Sequence, residues 1–203
     1  MESRSFSSIA FIADEINRSQ SRIMIYKFAL GLALALLLSS STSSHLPGLN
    51  LLDHLYRGFP SGGAGIVLLL LRVGTGVLFI LHGYPKITHL QQWSSALKMP
   101  RFLCFLSALS MLAGGVCLIL GLLTPLASAA IFVSMAFAAY LEITQGLPFV
   151  ASDPYLIPEG QYEGPNGKGE PPSWEKAFMY CLMLLAIAVL GPGIYSLDAL
   201  LFK

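Results

Sequence analysis

Four stretches of mostly apolar residues constrain this chain more than anything else, because each has the length of about 20 residues that a helix needs to cross the hydrocarbon core of a bilayer. They run from about 65 to 84, 102 to 123, 126 to 145 and 176 to 197, bounded by polar or Pro/Gly punctuation. A polar loop covers 85–101 and Thr124-Pro125 marks a tight turn. The segment 151–173 is Pro/Gly-rich and acidic, with Asp153, Glu159, Glu163 and Glu170 against Lys168. Backbone groups in hydrocarbon have no water to bond, so runs of this kind must be helical. The pattern predicts an all-α fold, a transmembrane four-helix bundle over residues 64–203 with its acidic loop in water.

Composition supports the same class. Of 203 residues, 55% are hydrophobic and 11% charged, against about 25% charged in soluble domains. A formal net charge of +1 supplies no basic field for phosphate contacts, which argues against nucleic acid as a partner. Cys104, Cys117 and Cys181 fall inside apolar runs without CxxC or metal-ligand spacing and read as small buried hydrophobes. The chain holds no GxGxxG, Walker loop, HExxH or GxSxG, so no metal and no intrinsic cofactor is expected.

The N-terminal extension, residues 1–63, contains one further apolar segment at 23–38, interrupted by Lys27 and followed by the serine-rich stretch 39–44. Sixteen residues are short for a span. A fifth helix or an interfacial anchor is favoured over a cleaved signal peptide, whose charged lead would be unusually long here. If 23–38 spans with the N-terminus inside, Lys86, Lys98 and Arg101 fall on the cytoplasmic side, as the positive-inside rule prefers. Without that span, orientation stays open.

Polar residues inside the apolar runs are the candidates for function, since a charge at mid-bilayer costs about 2.5–3.5 kcal/mol on insertion scales. Arg72, Thr75, Phe79, His82 and Lys86 share an arc of roughly 80° on the first helix at 100° per residue. Pro85 is expected to kink or end that helix. On the third helix Ser134, Ala138, Glu142 and Gln145 share a face. With alternating helix directions, His82 and Lys86 meet Glu142 at the membrane surface where Trp174 and Glu175 open the fourth helix. At the other surface Arg72 lies near the C-terminal tail, where Asp198 is its only acidic neighbour; the expectation is a structural ion pair between Arg72 and Asp198. Ala130, Ser134 and Ala138 form a small-xxx-small line, and Gly74, Gly76, Gly114 and Gly115 offer similar sites for close helix approach.

The stretch "LLRVGTGVLFILHGYPKI" at 70–87, with "GGVCLILGLLTP" at 114–125, Glu175 and "GPGIYSLDALL" at 191–201, resembles the DoxX family of small polytopic membrane proteins over about residues 64–202. The resemblance implies a four-helix membrane bundle whose relatives include the membrane subunit of an archaeal thiosulfate:quinone oxidoreductase and bacterial proteins with thiol or oxidative-stress partners. It implies residence in a bacterial cytoplasmic (inner) membrane. The chain departs from the family in having Met111 where many members carry a glutamate, and in a longer insertion before the last helix.

Two functions fit these residues best, and a third, a carrier for a small solute, stays open although the intramembrane charges are few. In the first, the protein is an accessory or membrane subunit of a redox system linked to quinones or thiols. A crevice lined by Phe79, Phe137 and Tyr140 would admit a quinone, His82 or Lys86 would bond its head, and Glu142 or Glu175 would accept a proton. Electrons would come from a protein partner. In the second, the protein is a non-enzymatic scaffold or assembly subunit of a larger complex, its charges fixing helix register and its acidic loop docking a partner.

Overall fold

The computed structural model describes Tyr56, residues 58–164 and residues 167–203. The apolar segment 23–38 lies outside the described residues. Four long helices form the body of the molecule: α1 (Gly62–Thr88), α3 (Arg101–Leu120), α4 (Thr124–Thr144) and α5 (Glu175–Leu190), with two short ones, α2 (Leu90–Ala96) and α6 (Leu197–Phe202). A two-residue antiparallel ladder, β1 (Glu163–Gly164) with β2 (Gly167–Lys168), sits in the acidic loop. The architecture is the all-α bundle expected.

α1, α3 and α4 are each long and apolar enough to cross a membrane. α5 has 16 residues and is about 24 Å long; it ends at Leu190 instead of continuing to 197. Gly191 at φ +80° and Pro192 stop it, as a left-handed residue followed by a proline lacking an N–H should. The opposite outcome occurs at Pro85, where α1 continues to Thr88. The chain then turns at His89, whose N–H bonds Pro85 O at 3.0 Å, into α2, so the expected polar loop is largely helical.

Inside the bundle Leu68, Phe79, Met111, Leu118, Ile131, Met135, Leu184 and Ile187 make one contiguous core. The outward faces are apolar too: Val67, Leu70, Leu126 and Val189 are all more than 60% exposed. A helix apolar on all sides suits a lipid surround, not water. α1 and α3 touch through backbone. A Cβ on Gly76 would stand 2.6 Å from Gly115 O, and one on Gly115 2.8 Å from Gly76 O, so only glycine fits either position.

At one end of the bundle, α1 and α4 finish and α5 begins. There Trp174 N donates to Pro148 O at 3.3 Å and Glu175 N to Phe149 O at 3.0 Å, closing the base of the acidic loop. Phe149 meets Trp174 at a tilt of 43° with centroids 4.2 Å apart, and Phe178 meets both edge-on. Such an aromatic knot fits the headgroup level, where amphipathic rings concentrate.

Candidate functional site

A cavity of about 740 Å³ opens between α3 and α4 under α2. Its α4 wall is the line of Ala130, Ser134 and Ala138. These small residues leave space instead of drawing helices together, while the buried face of α4 runs through Ala127, Ser128, Ile131 and Met135. Ser110 on α3 donates to Ser107 O at 2.8 Å and hydrogen-bonds Ser134 Oγ at 2.8 Å, so the hydroxyls are satisfied within the wall. Leu103, Leu106, Val133, Phe137 and Leu141 supply an apolar lining. Lys86, Trp93, Glu142 and Gln145 supply the polar groups.

A second cavity of about 260 Å³ adjoins it, lined by His82, Glu170, Ser173, Lys176 and Tyr180. Lys86, Ala138, Glu142 and Pro172 line both cavities. Lys86 and Glu142 therefore stand in the partition between an apolar chamber and a polar one. Lys86 Nζ lies 5.1 Å above the Trp93 ring, and among the described residues its hydrogen bond is to Met111 Sδ at 3.5 Å. Glu142 Oε2 is buried with no hydrogen-bond partner among the described residues. The His82 ring meets Tyr180 edge-on at 5.7 Å. Among the described residues no group of three His, Cys, Asp or Glu side chains gathers as a metal site would.

Of the residues expected at this surface, His82, Lys86 and Glu142 come together and Glu175 does not. Glu175 opens α5 and lines neither cavity. Among the aromatic candidates, Phe137 lines the large cavity. Phe79 is wholly buried in the core, its ring 4.9 Å from Tyr180. Tyr140 lines neither cavity and lies 6.4 Å from the Phe137 ring. Trp93, Lys176 and Glu170 escaped sequence reasoning. Trp93 sits on the short helix hidden in a presumed loop, and Glu170 arrives by a loop path, tethered to Lys176 by an ion pair; adjacency to Glu175 was the one available hint for Lys176.

At the opposite end of the bundle Arg72 and Asp198 are both wholly buried, but no ion pair joins them. Each instead serves one end of the α3–α4 turn. α3 closes in a Schellman motif: Gly121 at φ +66° donates to Leu118 O at 3.2 Å and Leu122 N to Cys117 O at 2.9 Å. Arg72 Nη1 adds a bond to Leu118 O at 3.4 Å, and Nη2 bonds Tyr195 O at 2.5 Å. A cation thus faces the negative end of the α3 dipole. Asp198 accepts from Leu123 N at 2.7 Å and Thr124 N at 2.8 Å, while its own N–H donates to Gly121 O at 2.8 Å. The carboxylate thereby caps α4, whose own N-cap residue Leu123 has no side-chain acceptor. A Cβ on Gly121 would collide with Arg72 Nη1 and with Ser196. The expected pair is corrected to a shared turn: backbone groups bond both Nη atoms of the guanidinium and both oxygens of the carboxylate, Arg72 Nε is buried with no hydrogen-bond partner among the described residues, and the carboxylate acts on the guanidinium only through space.

The DoxX family model matches residues 67–142, from the first turns of α1 to the cavity glutamate of α4. No curated protein and no solved structure matches the chain. The chain is thus similar to the DoxX family over that segment, and three helices long and apolar enough to cross a bilayer make it an integral membrane protein.

Proposed function

We propose that the protein is the membrane subunit of a redox system and that the cavity between α3 and α4 holds its quinone. The observation that carries this reading is the cavity itself: about 740 Å³, within the range of about 300–1,000 Å³ common for small-ligand sites. It has an apolar lining and one ammonium–carboxylate wall. The apolar lining of Leu103, Leu106, Val133 and Leu141 suits an isoprenoid or alkyl tail, and Lys86 suits a carbonyl oxygen. Electrons come from a protein partner, because the described residues offer no redox group beyond scattered thiols. The membrane is taken to be the bacterial cytoplasmic one.

Trp93 lines the cavity and Trp174 is the only other tryptophan, so a Trp174→Phe variant in mild detergent reports on the site by fluorescence. A decyl-substituted benzoquinone should quench Trp93 saturably. Ala138→Leu, which fills the cavity, should weaken the effect at least about tenfold, since added methylenes must displace ligand or wall. Quenching without saturation in the parent would end the quinone reading. That result would favour a scaffold, which has its own support in the exposed loop acids Asp153, Glu159 and Glu163; a scaffold would show companion proteins lost with the loop.

A further inference from the structure

The partition between the two cavities holds a cation and a carboxylate that do not bond one another. Lys86 offers three N–H donors, and the acceptor it finds is the weakly accepting sulfur of Met111. Glu142 Oε2 is fully buried and accepts no hydrogen bond from a described residue. No ion pair joins the two side chains, although each acts on the other through space. Around them stand His82 from α1, Lys176 and Tyr180 from α5 and Glu170 from the loop, and the loop acid is already tied to Lys176.

A ligand head that satisfies both must accept from Lys86 and donate to Glu142. A quinone oxygen only accepts, so it can meet the ammonium and leaves the carboxylate unmatched. The hydroxyl of the corresponding hydroquinone does both at one atom. Resting on the quinone reading above, we infer that this cavity binds the hydroquinone form of its ligand in preference to the quinone, with Glu142 as the group that makes the distinction. A site built to receive a hydroxyl rejects the analogue lacking one because a buried polar group is left unpaired.

The test is calorimetric titration of the full chain in mild detergent with a decyl-substituted benzoquinone and, under argon with excess reductant, with its hydroquinone. The hydroquinone should bind about tenfold more tightly, equivalent to a rise of about 30 mV in the potential of the bound two-electron couple. Glu142→Gln, whose amide offers a donor beside its acceptor, should bring the two affinities within about twofold. Lys86→Met should weaken both forms alike. Equal affinities in the parent, a tighter quinone, or a preference that survives Glu142→Gln would overturn the inference and leave the quinone reading standing. Failure of both forms to bind would remove the two together. The parent ratio decides without any variant, so a variant that does not fold leaves the outcome determinate.

Discussion

Asp198→Ala should be among the most damaging single substitutions in this chain, although the residue lies in the tail, far in sequence from the helix it stabilises. The carboxylate is wholly buried and receives the N–H groups of Leu123 and Thr124 at 2.7 and 2.8 Å. An unmatched buried donor costs about 1–3 kcal/mol. Thr124 is fully buried and belongs at the upper end of that range, while the Leu123 bond is partly buried and belongs lower. Together the loss is about 3–4 kcal/mol. At about 2–4 °C per kcal/mol for chains of this length, thermal unfolding followed by circular dichroism in a fixed mild detergent should fall by about 10 °C. Asp198→Asn discriminates the cap from an ion pair. The amide keeps one acceptor oxygen, so a cap predicts a loss about half that of alanine, whereas loss of a counter-charge for Arg72 predicts equal damage from both. An alanine variant within about 1 kcal/mol of the parent, or an asparagine variant as unstable as alanine, would refute the capping account.

Two further substitutions probe the helix contact and the tail. Gly76→Ala drives a methyl against Gly115 O and Ile119 and should cost about 1–3 kcal/mol. Gly74→Ala, with nothing within 4 Å of its Cβ, should be neutral or stabilising by up to about 1 kcal/mol; melting curves of the pair read the contrast directly. Tyr56 stacks on Phe202 at 4.5 Å, and burial, then Asp198, push its phenol above the ordinary value of 10.0. An acid whose folded value is raised stabilises below its unfolded value and loses that contribution as pH rises through it. The melting temperature of the parent should therefore fall more steeply above about pH 10 than that of Tyr56→Phe.

The long helices were legible in the sequence because lipid demands length and apolarity, and both are local properties. Prolines and small residues were less so. Pro85 stays within α1, and in the turn after it Thr88 Oγ1 donates to Tyr84 O at 3.0 Å and Pro85 O at 3.2 Å. Pro192 follows a left-handed glycine and helps end its helix. The same residue type gives two outcomes according to the backbone before it, helical ahead of Pro85 and at positive φ ahead of Pro192. Ala130, Ser134 and Ala138 have the spacing of a packing seam, yet a small side chain closes a gap only if the opposite helix comes near. That happens at Gly76 and Gly115, where glycines face one another. His82, Lys86 and Glu142 were found by helical periodicity and alternating direction. Trp93 and Glu170 depend on a hidden helix and a loop path, which periodicity does not encode.

Arg72 and Lys86 carry the same sequence signal, a basic residue on one face of an apolar helix, and the structure separates them by what fills their hydrogen bonds. At the tail end, carbonyl oxygens of Leu118 and Tyr195 engage the guanidinium, and two backbone N–H groups engage the nearby carboxylate. The charges there are spent mainly on helix ends, although Arg72 Nε is buried and unbonded among the described residues. At the loop end, Lys86 finds sulfur and an aromatic face, Glu142 Oε2 finds no donor among the described residues, and both side chains border open volume. Since an ionised group in such surroundings costs free energy until it is bonded, an unbonded pair beside a cavity is a store of binding energy for an occupant that can join them. Position along α1 alone cannot distinguish the two basic residues, but the backbone around Arg72 and the open volume beside Lys86 do. The first is where the fold is held, and the second is where chemistry can enter.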